Sequence, residues 1–409
     1  MDLLQVVQQQ NSRVLPADRR VAEDVEKQMA CDFEVKQLSP AERSEAISVA
    51  NESFGFGPDK DSDFGRDWPY VWNDDRMDNT WACYVEGKMA GVVGAYPMEV
   101  KMAGVRFRSA CVGQVSTLPA YRGRGVMSAI LRRVTAEMDR QYDFTWLDGD
   151  RMRYGRYGWA FGGVKHCFRT NAKYLPPPPD ESAVRPMEPG RDGEMIWRHT
   201  QEMPYGIGFN RLEFDQLLSI RHVGGVVSED AWVVYRGPRD RSYPLLADGP
   251  TNKIAALVAY LSKLAKEHDP EGTVAFEAGP YDCPLARMAM KHYSKMTTQA
   301  VGGFRLCDMS SYFRRACEAV SPTIDGGSDE LSLRNKDTRQ EVRIVCSDGR
   351  LSVDDRVGSS VREMTTTELS EVVFSTLPVD VKLPGVAADS PLRALLTMPV
   401  YLPFSFYAM

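Results

Sequence analysis

Apolar residues recur at helical spacing most clearly over 125–140, where Val126, Met127, Ile130, Leu131, Val134 and Met138 share one face. A second such face runs over 253–267 through Ile254, Leu257, Val258, Leu261, Leu264 and Ala265. A third helix is predicted from a capping box, Thr365 to Glu368, and carries Leu369, Val372, Val373 and Leu377. Weaker helical stretches fall at 40–51 and 212–219. Strands are predicted at 32–38, 81–85, 90–98, 105–117, 143–147, 231–235 and 273–277. Further short ones fall at 331–333, 342–345 and 351–353. Glu86-Gly87-Lys88 and Ala103-Gly104 supply turns between the early strands. The run 105–147 reads strand, helix, strand, with a turn at Asp148-Gly149-Asp150. That order belongs to α/β folds that bind ligands at strand ends.

The chain has 409 residues, and at about 150 residues per domain this predicts two or three domains. Residues 1–30 are polar, with Gln8, Gln9 and Gln10 in a row, and read as an extension or a docking helix. Pro176–Pro179 form a stiff polyproline segment and set the first boundary. The expected units are 31–175, 180–303 and 304–409. A loop at 321–328 carries Pro322, Gly326 and Gly327.

The charge balance changes the functional picture. Lys plus Arg is 50 against 56 for Asp plus Glu, a formal charge of −6. Mild acidity speaks against a general nucleic-acid binder. No apolar run approaches the ~18 residues of a membrane span, and the first residues do not read as a signal peptide. Eight cysteines are scattered without a C-x-x-C pair, and the five histidines do not cluster near them. This points away from a metal site and towards buried thiols in a reducing cytoplasm.

The most informative stretch is 115–128. Here a strand ending Val115-Ser116-Thr117 runs into a turn, Arg122-Gly123-Arg124-Gly125, and a helix opens at once with Val126-Met127-Ser128. Backbone N–H groups at a helix start have no internal partner, and the dipole there favours anions. Glycines let the backbone approach a ligand, and the arginines add positive charge. The pattern describes a pyrophosphate cradle. It lacks the lysine and hydroxyl residue of a nucleotide P-loop and the three glycines of a dinucleotide fingerprint.

This stretch resembles the acetyl-CoA motif R/Q-x-x-G-x-G/A of the GNAT superfamily of N-acetyltransferases, with Arg122 and Gly125 matching and Met127 departing at the last small position. Tyr154-Gly155-Arg156-Tyr157-Gly158-Trp159 resembles the Y-G-R-[FY]-G-[YW] element of one branch, the enhanced intracellular survival (Eis) proteins. The resemblance implies mixed α/β sheets in two tandem GNAT-like domains, followed by a sterol-carrier-protein-like domain. The second domain, lacking the motif, is expected not to bind acetyl-CoA. It also implies a homo-oligomer, with a hexamer as the family assembly.

Roles follow from the resemblance residue by residue. Arg122 to Ser128 would cradle the CoA pyrophosphate, Val115–Thr117 would offer strand-edge groups to pantetheine, and Gly149 and Asp150 would again approach the cofactor. Tyr154 would protonate the departing thiolate, with Tyr157 as the competing candidate. The apolar tail 401–409 suggests burial. In Eis-like chains the terminal carboxylate, here on Met409, acts as the base. The alternative is that the tail packs on the third domain. In the loop 54–80, Phe54, Phe56, Phe64, Trp68, Tyr70 and Trp72 alternate with aspartates, which suits a cationic amine, with Phe56, Trp68, Tyr70 and Trp72 as the candidate contacts, or, equally, a solvated acidic loop over an apolar floor. The expected activity is transfer of an acetyl group from acetyl-CoA to a small-molecule amine or a protein lysine by direct attack, with no metal. A lipid or small-molecule carrier is the rival.

Overall fold

The computed structural model describes residues 33–220, 223–236, 243–279, 281–354, 356, 358 and 360–402. The extension 1–30 and Met409 lie outside the described residues. The first half of the chain gives β1 (Phe33–Gln37), α1 (Arg43–Phe54), α2 (Phe64–Asp67), β2 (Thr80–Val85), β3 (Lys88–Met102) and β4 (Val105–Thr117). It continues with α3 (Val126–Gln141), β5 (Phe144–Leu147), α4 (Arg151–Tyr154) and β6 (Ala160–Gly162). The expected helix at 40–51 is entered through a 3-10 turn, Pro40–Glu42, and α1 ends at Gly55, whose φ is 74°.

One sheet carries the order β1-β2-β3-β4-β5, then strand Gly302–Leu306, then β6, with Gly206–Gly208 added alongside β3. Within it β4 and β5 run parallel. Two parallel neighbours need a crossover, and the amphipathic α3 supplies it. Its buried residues Val126, Ile130, Leu131, Val134 and Met138 are the predicted stripe without Met127.

Three smaller sheets complete the molecule. One places Lys165–Thr170 between Val274–Ala278 and Lys295–Gln299. Another runs from Tyr243–Asp248 through Trp232–Arg236 and Val223–Val227 to Arg185–Pro186. The third orders Arg350–Asp354, Glu341–Ser347, Asp329–Asn335 and Val361–Met364. Hydrogen bonding crosses both expected boundaries. Strand Lys165–Thr170 precedes the polyproline segment yet pairs with strands beyond it, and Gly302–Leu306 returns to the first sheet. One large core joins residues from Leu38 to Leu402.

The third predicted helix forms at Thr366–Phe374 with both halves of its capping box. Leu377, expected on its face, lies beyond its end and is 48% exposed. Ser375 turns extended (ψ 153°), and Leu377 precedes Pro378, a position that disfavours helix. Among the described residues no helix is long and apolar enough to cross a membrane.

Candidate active site

The hydrogen bonding between β4 and β5 is short. It spans Ser109–Cys111 against Phe144–Trp146 and then stops. Beyond that point, among the described residues, the β5 side of β4 has no strand partner from Val112 to Thr117. On the other edge, the β3–β4 register shifts between Val92 and Gly94, and Gln114 takes a left-handed φ of 48°. A bulge of this kind re-aims a strand at its end. The opening between β4 and β5 is therefore built into the backbone.

Two adjoining cavities fill that opening. The first, about 1250 Å³ and open to solvent, lies over the start of α3 and is lined by Val115, Ser116, Thr117 and residues of the glycine turn. Arg122, Gly123, Gly125, Val126, Met127 and Ser128 all border it. Gly125 is the N-cap of α3 at φ 89°, and no side chain caps the helix. Gly123 has φ 75°, and a Cβ there would meet nothing within 4 Å. The turn thus presents an uncapped helix start to open space, the arrangement an anion needs.

The arginines are placed differently from one another. Arg122 donates to the backbone oxygens of Thr117 (3.2 Å) and Ser53 (2.9 Å), so it braces the turn against α1. Arg124 lies over the Tyr121 ring at 5.4 Å and does not border the cavity.

The second cavity, about 720 Å³, continues deeper between Val112–Val115 of β4 and Trp146–Asp150, the end of β5 and the turn that follows it. Tyr154 closes it. The tyrosine is 7% exposed and meets Trp159 edge to face at 6.3 Å. Gly149 makes room for it: a Cβ there would sit 2.3 Å from the Tyr154 ring. Burial pushes the Tyr154 hydroxyl above its ordinary value, with Arg153 opposing, so the group stays protonated at neutral pH. Asp150 borders the same cavity, but its carboxylate caps α4 by accepting from Met152 N (2.7 Å) and Arg153 N (3.2 Å). The Tyr157 hydroxyl donates to Ser128 Oγ at 2.7 Å and ties the turn after α4 to the start of α3.

The turn carrying Tyr154 is held from outside the first half of the chain. Arg305 donates Nε to Tyr157 O (2.9 Å) and forms a two-pronged pair with Asp139 of α3 (Nη2 to Oδ2, 3.0 Å). Gly158 leaves space for that guanidinium, since a Cβ would lie 2.9 Å from Arg305 Nε. Thr367 Oγ1 donates to Gly155 O at 2.7 Å, and Arg151 reaches Glu371 at 2.9 Å.

In the loop 54–80 the aromatics divide between the core and the cavities. Tyr70 and Trp72 are each 3% exposed, belong to the large core and border neither cavity. Phe56 and Trp68 are half-buried and cluster with Phe64. Asp63 and Asp67 are buried in a structural network: Asn51 Nδ2 donates to Asp63 (2.7 Å), and Arg66 Nε donates to Asp67 (2.7 Å). These two aspartates hold the loop. Of the loop aromatics Phe54 borders both cavities, whereas sequence reading missed Arg153, which also borders both, and Gln114, which is buried beside the second. Among the described residues no group of three or more His, Cys, Asp or Glu could hold a metal ion.

Residues 34–162 match the family model described as an acetyltransferase (GNAT) domain. No curated protein matches the chain. Solved structures share its fold at low identity. A GCN5-related N-acetyltransferase from Kribbella flavida has 18% identity and a TM-score of 0.67, covering 91% of this chain and 98% of that one. One from Anabaena variabilis has 15% identity and a TM-score of 0.66, covering 91% and 99%. Eis1 from Mycobacterium abscessus has 14% identity and a TM-score of 0.59, covering 90% and 99%.

Proposed function

We propose that this chain, with an acetyltransferase (GNAT) domain over residues 34–162 and a fold shared with Eis1, is an acetyl-CoA-dependent N-acetyltransferase acting on amines. One observation carries the reading: the uncapped, glycine-opened start of α3 leads without interruption into a cavity closed by a buried, protonated tyrosine.

The residues present suit acetyl-CoA. Backbone N–H groups of Val126, Met127 and Ser128 face where a diphosphate would lie. The free edge of β4 at Val112–Val115 offers backbone groups to amides of an extended ligand. When bound, acetyl-CoA supplies an acyl group activated as a thioester. Tyr154 then donates its phenolic proton to the departing thiolate. Asp148, exposed at the cavity rim, and the ring of Phe54 form an entry that attracts an ammonium. The base in this reading is the carboxylate of Met409, outside the described residues. We further propose that 180–303 is a second GNAT-like unit without cofactor, and that the remainder is a sterol-carrier-like unit bracing the active-site turn.

An amine panel with acetyl-CoA, followed by release of CoA thiol, tests the reading. Turnover on small amines or lysine peptides supports it, and acetyl-CoA binding without turnover on any amine overturns it. The base is tested separately. Met409→Ala should keep most activity, whereas residues added after Met409 should remove it. A tagged enzyme with full turnover and an unaltered pH profile would exclude the terminal carboxylate.

A further inference from the structure

The two cavities of the groove meet at Phe54, Val115 and Arg153, which border both. Among the described residues Arg153 is the only cation bordering the deeper one. The outer cavity is also bordered by Arg122, but that guanidinium is taken up by the backbone oxygens of Thr117 and Ser53. The turn around Tyr154 carries two more arginines. Arg151 reaches away to Glu371 at 2.9 Å, and Arg156 borders neither cavity.

Arg153 is placed by the cap of α4, since its backbone N–H donates to the Asp150 carboxylate at 3.2 Å. Its side chain is exposed and forms no ion pair with a carboxylate among the described residues. The next residue in the chain is Tyr154. One guanidinium therefore stands at the junction of the groove, beside the proton donor, with its charge uncompensated.

That charge answers a difficulty in the acid step. When Tyr154 gives its proton to sulfur, a negative charge is left on its own oxygen. A phenol ordinarily titrates at about 10 and a thiol at about 8.5. Burial, with smaller contributions from Asp148 and Asp150, widens that gap. The donor is the weaker acid, so the transfer runs uphill unless the phenolate is stabilised. Of the charged groups acting on Tyr154, only Arg153 works in that direction, through its charge and a side-chain hydrogen bond.

We propose that Arg153 is a further residue of the transfer step, a role that rests on the acetyl-transfer reading: its guanidinium stabilises the negative charge that passes from the departing sulfur to the Tyr154 oxygen. The amine nitrogen bonds to the acyl carbon, the carbon–sulfur bond breaks, and the sulfur takes the Tyr154 proton. The surplus proton of the amine goes to the base, and water at the open groove returns a proton to the phenolate. Arg153 keeps its own charge throughout. A ligand filling the groove would exclude water around it and strengthen its effect.

Arg153→Met removes the charge and keeps an extended side chain, and Arg153→Lys restores the charge. Both are compared with Tyr154→Phe and with the double variant Arg153→Met, Tyr154→Phe. The readouts are steady-state kinetics on one amine and calorimetric titration of acetyl-CoA, on full-length protein of normal melting behaviour. Arg153→Met should lower kcat at least about tenfold, with acetyl-CoA affinity within about threefold of wild type. Arg153→Lys should recover most of that loss. In the Tyr154→Phe background the same change should cost less than about threefold, because no phenolate is left to stabilise. Three results would overturn the proposal: an unchanged kcat in Arg153→Met, a loss of acetyl-CoA affinity with kcat kept, or the same fold loss in both backgrounds. The second would make Arg153 a contact to the cofactor's phosphates instead. Failure of the acetyl-transfer reading looks different: the wild-type chain turns over no amine, or Tyr154→Phe keeps full turnover, and the role of Arg153 falls with it.

Discussion

The chain builds a strand–helix–strand unit twice. In the first, β4 and β5 flank α3; in the second, Tyr243–Asp248 and Val274–Ala278 flank Thr251–Ala265. Both units leave a gap beside their first strand, and both helices start without a side-chain cap. The difference lies in the connection. The first has residues 118–125, with Gly123 and Gly125 both left-handed and facing a solvent-open cavity. The second has only Gly249-Pro250, and the space at Gly249 is taken by its own chain: a Cβ there would lie 2.4 Å from Asp230 O. In the first connection the space beside left-handed Gly123 is open, and in the second it is filled by the chain's own backbone. Architecture supplies the gap in both units, and the short connecting segment sets how open the start of the helix is beside it.

The largest effect should come from Tyr154→Phe, which keeps the ring and loses the proton. Turnover should fall about 10²–10⁴-fold while acetyl-CoA affinity persists, read by steady-state kinetics and calorimetry. Because burial raises the hydroxyl, the acid form is retained as pH rises. Turnover should therefore show no alkaline loss from this group below about pH 10. A loss near pH 8 would implicate a different acid.

Next is the anchor of the first unit. Asp139→Asn leaves the buried Arg305 guanidinium without its counter-charge, and unfolding in urea should show a loss of roughly 3–5 kcal/mol. The two glycines should then separate. Gly249→Ala forces a Cβ into backbone and should destabilise by roughly 2–4 kcal/mol with acetyl-CoA affinity unchanged. Gly123→Ala meets open space, so only its left-handed φ penalises it, by about 1 kcal/mol. The smallest effect should be that of Tyr157→Phe. It loses one hydrogen bond to Ser128, about 1 kcal/mol, and turnover should stay within roughly tenfold. Abolished turnover there, with Tyr154→Phe active, would exchange the two tyrosines.

Local patterns in the sequence carried the first unit well. The α3 stripe, the glycine turn and the capping box at Thr365 are all signals within a few residues, and each appears in the structure. What sequence could not show is long-range. Strand Gly302–Leu306 inserts beside β5, and Arg305 reaches back to Asp139, contacts set by topology and not by spacing. The loop 54–80 left two readings open for a related reason. Composition gives aromatics and aspartates but not their direction: Tyr70 and Trp72 turn into the core, and Asp63 and Asp67 turn into hydrogen bonds. Arg122 shows the same limit, since its guanidinium is engaged by backbone oxygens of Thr117 and Ser53.

The central claim is that one unit, the first, receives acetyl-CoA through the turn before α3. Calorimetric titration of acetyl-CoA into the wild-type chain and into Gly125→Val tests it most directly. The substitution places a β-branched side chain at φ 89° and at the mouth of the cradle. The account predicts one site per chain in the wild type and an affinity lowered at least about tenfold in the folded variant. Two sites per chain, or an unchanged affinity in a variant of normal melting behaviour, would contradict it.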